Sequence, residues 1–252
     1  MPVALVTGAR RGIGRAIALA LAARGYDLVI NDLVRDAAAE ETLAALIAAG
    51  VRAAFVPGDI AAEEGHAALA DAAWAAFGGL DALVNNAGVS VAKRGDMLEE
   101  SVADIDRVLG INLRGPWLLT AEIARRWVAE PPREGRAIAF VTSANAFMAS
   151  PDRASYAVSK SALSMVAKLF ALRLAPHGIP VHEIRPGVIA TDMTAVAKER
   201  YDRRIADGLS PIARWGQPED VGRAVAMLVA GEIPFTTGDA FHVDGGLHLQ
   251  RL

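Results

Sequence analysis

Tyr156 and Lys160 stand four residues apart in a helical stretch, Ser155–Ala175. On a helix that spacing puts both side chains on one face. A free tyrosine, with a pKa of about 10, is a poor base at neutral pH. An ammonium beside a phenol favours the phenolate, which brings a tyrosine toward useful general acid/base work. Ser143 precedes Tyr156 by 13 residues and sits just past the apolar run Ala137–Thr142. A hydroxyl at the carboxyl end of such a strand can hydrogen-bond a substrate oxygen as charge develops on it. Together these residues could exchange a proton with an alcohol or carbonyl oxygen. Taken singly, each also has a plain structural use: a half-buried helix tyrosine, a surface lysine, a strand-end serine.

A second group of residues suits a phosphate. Thr7-Gly8-Ala9-Arg10-Arg11-Gly12-Ile13-Gly14 joins the first apolar run to a helical stretch, Arg15–Ala23. Glycines let the chain turn sharply off a strand and let a pyrophosphate approach the backbone and the helix N-terminus. The spacing is G-x-x-x-G-x-G rather than G-x-G-x-x-G, and alone it is equally a tight turn that binds nothing. Asp32 ends the second apolar run, 18 residues beyond Gly14. An acid there would accept the adenosine ribose hydroxyls and repel a 2′-phosphate, which favours NAD. Arg11 keeps NADP open, because a guanidinium in this turn could pair with that phosphate.

The elements that must carry these groups alternate along the chain. Strands are expected at Val3–Thr7, Asp27–Asn31, Arg52–Pro57, Ala82–Asn85, Ala137–Thr142, Val181–Ile184 and Ala240–Val243. Several are apolar throughout, as parallel strands covered on both faces are. Helices are expected at Asp36–Ala49, Glu63–Phe77, Pro116–Ala129, Ser155–Ala175 and Pro218–Ala230, the last opening on Gln217-Pro218-Glu219-Asp220. Alternating β and α elements predict an α/β fold: one doubly wound, Rossmann-type parallel sheet of about seven strands, with helices on both faces. The chain shows no repeat and no long linker, so residues 1–252 are expected to form one domain.

Composition excludes several function classes. There is no cysteine, hence no disulfide and no thiolate chemistry. The five histidines, His66, His177, His182, His242 and His248, show no metal-ligand spacing, so no metal is expected. A net charge of −3 with few aromatics speaks against a nucleic-acid partner. No run approaches the ~18 apolar residues of a membrane span. A strand begins almost at once, with no signal peptide ahead of it, so the expected location is cytoplasmic.

The motifs in order resemble those of the short-chain dehydrogenase/reductases, in the branch of about 250 residues, over essentially the whole chain. They are Thr7-Gly8-x-x-x-Gly12-x-Gly14, Asp59, Asn85-Asn86-Ala87-Gly88, Asn112 in Ile111-Asn112-Leu113, Ser143, Tyr156-x-x-x-Lys160, Pro186-Gly187 and Asp244-Gly245-Gly246. The resemblance implies a nicotinamide-dependent oxidoreductase with Asn112, Ser143, Tyr156 and Lys160 as its catalytic set. Lys160 would also hold the nicotinamide ribose, and Asn112 a water in a proton relay. The cofactor would meet Gly8, Gly12, Ile13 and Gly14 at the pyrophosphate, Asp59 and Ile60 at the adenine, and Asn86, Ala87 and Gly88 beside the adenosine ribose. Pro186, Gly187, Ile189 and Thr191 would hold the nicotinamide, with the Ile189 backbone offered to the carboxamide. A homotetramer is implied as well, built on Pro116–Ala129, Ser155–Ala175 and the tail Asp244–Leu252.

For the substrate, Ser143, Tyr156, Asn145 and Phe147 are expected to line the pocket. The substrate loop, residues 191–216, carries Lys198, Arg200, Tyr201, Arg203 and Arg204. These cations either face an anionic or polyhydroxylated substrate or form a solvated helix face. Similar sequences are often labelled 3-oxoacyl-carrier-protein reductases. That role needs a basic docking surface for an acidic carrier, which Arg125, Arg126 and Arg133 could supply in part. Such reductases usually carry a basic residue before Gly178, where this chain has His177. Asp32 and its NAD preference favour a sugar, sugar-acid or polyol dehydrogenase over an NADPH-dependent oxoacyl reductase. A non-catalytic dinucleotide sensor on the same fold is the remaining alternative; Tyr156 and Lys160 both speak against it.

Overall fold

The strands read as continuous apolar runs because both faces of the sheet are covered. In the computed structural model, which describes residues 1–62 and 64–250, β1 (Val3–Thr7) is buried along its whole length. Its Ala4 and Val6 enter one core, its Val3 and Leu5 the other. The other strands are β2 (Asp27–Asp32), β3 (Ala53–Pro57), β4 (Ala82–Asn85), β5 (Ala137–Val141), β6 (Val181–Pro186) and β7 (Ala240–Val243). They pair in parallel as one seven-stranded sheet in the order β3-β2-β1-β4-β5-β6-β7. This is the doubly wound architecture expected from the alternation of elements.

Helices α1 (Gly12–Ala22), α2 (Ala37–Ala48) and α9 (Pro218–Val229) cover one face. Helices α3 (His66–Phe77), α5 (Gly115–Ala129) and α6 (Ala154–Leu174) cover the other. Pro218 and a reciprocal Gln217–Asp220 capping box start α9. Gly222 then lets α9 lie directly on α1: a Cβ there would meet the Ala16 carbonyl oxygen at 2.6 Å. The expected start of the third helix at Glu63 lies outside the described residues; the helix begins at His66.

Four further elements, three α-helices and a π turn, went unread in the sequence. Helix α4 (Val102–Leu109) buries only Val108, so its apolar signal is thin. It continues through a single π turn, Gly110–Arg114, into α5. The substrate loop is largely helical, as α7 (Asp192–Ala195) and α8 (Lys198–Ala206). Its ends are tied together where Ile189 bridges Gly216. Between β1 and β4 successive chain crossovers leave the sheet in opposite directions, and such a switch point opens a crevice at the carboxyl ends of the strands.

Candidate active site

A cavity of about 490 Å³ occupies that crevice. Its floor is the glycine-rich turn. Gly8 and Gly12 hold φ of +64° and +56°, backbone space that side chains avoid. A Cβ at Gly14 would stand 2.2 Å from the Gly8 carbonyl oxygen. The Asn-Asn-Ala-Gly segment after β4 pins the turn: Asn86 Nδ2 donates to the Thr7 and Gly8 carbonyls at 2.9 and 3.1 Å. The Thr7 hydroxyl accepts the Asn86 and Ala87 amides, both at 3.1 Å. Arg11, at the N-cap of α1, makes no side-chain cap hydrogen bond to the first-turn N–H groups. That is the donor set a pyrophosphate requires, and the residues present fit a dinucleotide.

At the far end, Asp32 lines the cleft beside Leu33, Asp59 and Ile60. Two adjacent arginines of the turn, Arg10 and Arg11, line the cleft here. Arg11 reaches across the cleft mouth to Asp192 at 2.8 Å. Its neighbour Arg10 is the cation beside Asp32, with Nε 3.5 Å from the carboxylate, and it also pairs with Asp36. Asp36 in turn caps α2, and the amide of Ala39 with the guanidinium of Arg10 holds its carboxyl below the usual range.

The proposed catalytic groups meet at the other end of the cavity. Tyr156 and Lys160 lie on α6, 7% and 4% exposed. Lys160 Nζ donates to the Val141 carbonyl at 3.0 Å. Burial pushes its pKa down from 10.5 to about 8, against the opposing attraction of Glu183. Ser143 caps the short turn after β5, its Oγ accepting the Asn145 amide at 3.1 Å. Asn112 sits in the π turn, fully buried behind the cavity wall. Its Nδ2 donates to the Val89 carbonyl at 2.9 Å and to Ser159 Oγ at 3.0 Å, and its Oδ1 accepts the Val89 amide at 2.8 Å. Gly88 explains how Asn112 and Lys160 come together: a Cβ there would lie 3.2 Å from Asn112 Oδ1 and 3.3 Å from Lys160 Nζ.

Between these ends run Pro186, Gly187, Ile189 and Thr191. A Cβ at Gly187 would stand 2.7 Å from Asp244, so the turn after β6 packs directly on the turn after β7. The Ile189 carbonyl accepts the Thr194 hydroxyl at 2.6 Å. Thr191 caps α7.

The comparisons with known proteins agree with this geometry. A family model described as Enoyl-(Acyl carrier protein) reductase matches residues 8–248. The chain belongs to the short-chain dehydrogenase/reductases. It is an NAD(P)-dependent oxidoreductase of CH–OH and C=O groups. It is 36% identical to a 3-oxoacyl-[acyl-carrier-protein] reductase of Synechocystis over 97% of this chain and 96% of that one. It is 34% identical to a 2-dehydro-3-deoxy-D-gluconate 5-dehydrogenase of Dickeya dadantii, over 97% and 94%. A crystal structure of a 3-oxoacyl-[acyl-carrier protein] reductase from Brucella melitensis in complex with NAD superimposes with a TM-score of 0.96, at 45% identity over 100% of this chain and 98% of that one.

In this dehydrogenase/reductase the wall beyond Ser143 and Tyr156 mixes polar side chains with apolar ones, among them Met148, Met193, Leu209 and Leu247. Arg94, Asn145, Arg153, Arg200, Tyr201 and Arg204 line it. Arg94 and Arg153 were not anticipated, because an isolated arginine carries no signal of where it points. Of the charged loop, Lys198 turns away to Asp202 at 2.6 Å. Phe147 corrects an expectation: it does not line the cleft, but packs edge-on against His242 with Arg185 over its ring. The fold also gathers three residues that the sequence scatters. His242, Asp244 and His248 bring ligand-type atoms within 4.8 Å of one another. The two imidazoles stack at 4.0 Å, and their Nδ1 atoms lie 3.6 and 2.9 Å from the same oxygen of Asp244. Asp244 meanwhile accepts His248 Nδ1 and the amides of Gly246 and His248.

Proposed function

We propose that this enzyme is an NAD-linked dehydrogenase that interconverts a secondary alcohol and its ketone on a small polar substrate: a sugar, sugar acid or polyol. The observation that carries it is the group of polar side chains near Ser143 and Tyr156, arginines, Asn145 and a tyrosine, set among Met148, Met193, Leu209 and Leu247. An acyl chain would leave the charge of Arg153, which has no acidic partner among the described residues, uncompensated.

A nicotinamide held in the cleft supplies the acceptor or donor of the hydride. Tyr156 takes the hydroxyl proton during oxidation and returns it during reduction. Ser143 Oγ hydrogen-bonds the substrate oxygen and stabilises charge there. Lys160, on the same face of α6 with its Nζ 5.9 Å from the centre of the Tyr156 ring, would hold the nicotinamide ribose. Asn112 holds the inner end of a proton path, shaped by the Val89 and Ser159 hydrogen bonds. Asp32 and Asp36 together outweigh Arg10 at the ribose end, which disfavours a 2′-phosphate and supports NAD.

The oxoacyl-carrier-protein reductase is the second reading, favoured by the relatives that bear that name. Its docking surface is weak here. Arg125 and Arg126 are paired with Glu122, Arg126 also with Asp71, and Arg133 with Asp81. Assembly as a homotetramer accounts for Trp117, Val158, Met165, Leu169 and Leu172, large apolar side chains left exposed on α5 and α6. Among the described residues no helix is long and apolar enough to cross a membrane.

The test follows reduced-nicotinamide absorbance. NAD and NADP are set against polyols, aldoses and sugar acids, and NADH and NADPH against an oxoacyl thioester, with Tyr156→Phe as the blank. NAD-linked oxidation of a polar alcohol, lost in the blank, is expected. Efficient NADPH-linked reduction of the thioester, with no polar alcohol turned over, would refute the proposal. Light scattering checks the tetramer.

A further inference from the structure

Arg153 is unlike the other arginines of the cleft. It lies three residues before Tyr156, and its guanidinium carbon sits 5.0 Å from the centre of the Tyr156 ring. One terminal nitrogen donates to Asn145 Oδ1. Its Nε is buried and has no partner among the described residues. Arg94 and Arg200 share the carboxylate of Asp152 at 3.3 and 2.9 Å; Arg153 is aimed at no acid among the described residues. Asn145 is fixed from its other end, Nδ2 donating to the Met148 carbonyl at 2.8 Å, so it holds the guanidinium in place. The field here is positive. Burial alone would raise the Tyr201 phenol, yet Arg153, Arg94 and Arg200 outweigh it and bring it below its usual value.

A guanidinium that lines the cleft with no acid beside it leaves its charge uncompensated until an anion reaches it. Planar guanidinium matches carboxylate with two parallel hydrogen bonds. We infer that Arg153, positioned by Asn145 and backed by Arg94, anchors a carboxylate of the substrate. The enzyme then takes a small hydroxy acid and its oxo acid, in preference to a neutral sugar, a polyol or an acyl thioester. Asn145 is two residues past Ser143 and Arg153 three before Tyr156, so the carboxylate and the reacting oxygen are held close together on a short carbon skeleton. The redox chemistry is unchanged: the hydride leaves the carbinol carbon and the hydroxyl proton goes to Tyr156. The inference rests on the small-polar-substrate reading above and narrows it to an acid.

The experiment measures binding to the protein loaded with NADH, by calorimetry. Tartrate and gluconate are compared with threitol and glucitol, their neutral counterparts, and with glycerol 3-phosphate. Wild type is set beside Arg153→Met and Arg153→Lys, with NADH affinity as the check on folding. A charge-assisted hydrogen bond of this kind corresponds to roughly ten- to hundredfold in affinity. Carboxylates are therefore expected to bind that much more tightly than the neutral compounds, the preference vanishing in Arg153→Met and partly returning in Arg153→Lys. Equal binding of acids and polyols, a preference untouched in Arg153→Met, or no carboxylate binding at all overturns the inference. Tighter binding of the phosphate ester than of either acid also overturns it. Oxidation of neutral polyols with no preference for acids removes the carboxylate anchor and leaves the dehydrogenase reading standing. Thioester reduction alone removes both.

Discussion

Lys160 is a buried amine whose cost to the fold can be measured. The side chain is 4% exposed and, among the described residues, makes one hydrogen bond, to the Val141 carbonyl. Lowering its pKa from 10.5 to about 8 corresponds to about 3 kcal/mol against the charged form at neutral pH. Lys160→Met removes that penalty and keeps most of the volume. It also orphans the Val141 carbonyl, at roughly 1–2 kcal/mol. The net expectation is an inactive protein more stable than wild type by about 1–2 kcal/mol at pH 7, which is roughly 2–8 °C for a chain of this size. The pH dependence sharpens the test. The unfolded lysine keeps its proton up to its usual pKa of 10.5, whereas the folded one releases it at about 8. Between those values the unfolded chain binds more protons, so wild-type stability rises with pH there. The advantage of the Met variant should be constant below pH 8 and shrink by about 3 kcal/mol toward pH 10.5. Urea unfolding of the dinucleotide-free proteins at intervals from pH 6 to about 10 measures it. A variant less stable than wild type at pH 7, or a gap that ignores pH, refutes the reasoning.

Gly14→Ala places a methyl carbon 2.2 Å from the Gly8 carbonyl oxygen; a loss of about 1–3 kcal/mol and of most NAD affinity is expected, read by denaturation and fluorescence titration. Gly88→Ala presses on Asn112 and Lys160 from 3.2 and 3.3 Å. Displacements well under an ångström at a reacting centre should lower kcat about tenfold or more while NAD binding changes little, and an unchanged kcat would sink the idea that Gly88 sets their spacing. Asp32→Ser removes the carboxylate facing Arg10; the preference for NAD over NADP should narrow by roughly tenfold, and an unaltered ratio of kcat/KM values would mean Asp32 does not select the cofactor.

The sheet was legible because each strand is short, apolar and bounded by turns, and all seven lie close to their expected positions. Helix α4 was not, since one buried valine makes no stripe. The π turn at Gly110–Arg114 has no composition signal; only the partners of Asn112 account for it. Arg10 and Arg11 are adjacent and identical in type, so nothing in the chain says which one faces Asp32. Phe147 shows the same limit from the other side: two residues past Asn145, it points to His242 instead of the cleft.

What the sequence by itself determined is therefore local. Spacing along a helix puts Tyr156 and Lys160 on one face, and glycines at fixed intervals open a turn to a phosphate. These follow from backbone geometry, which a few residues set. The tertiary structure decided the rest. The unpartnered Nε of Arg153, the depressed pKa of Lys160 and the pairing of Arg11 with Asp192 each depend on side chains far apart in the chain. Burial and charge are properties of what surrounds a group, and only the folded chain supplies those surroundings.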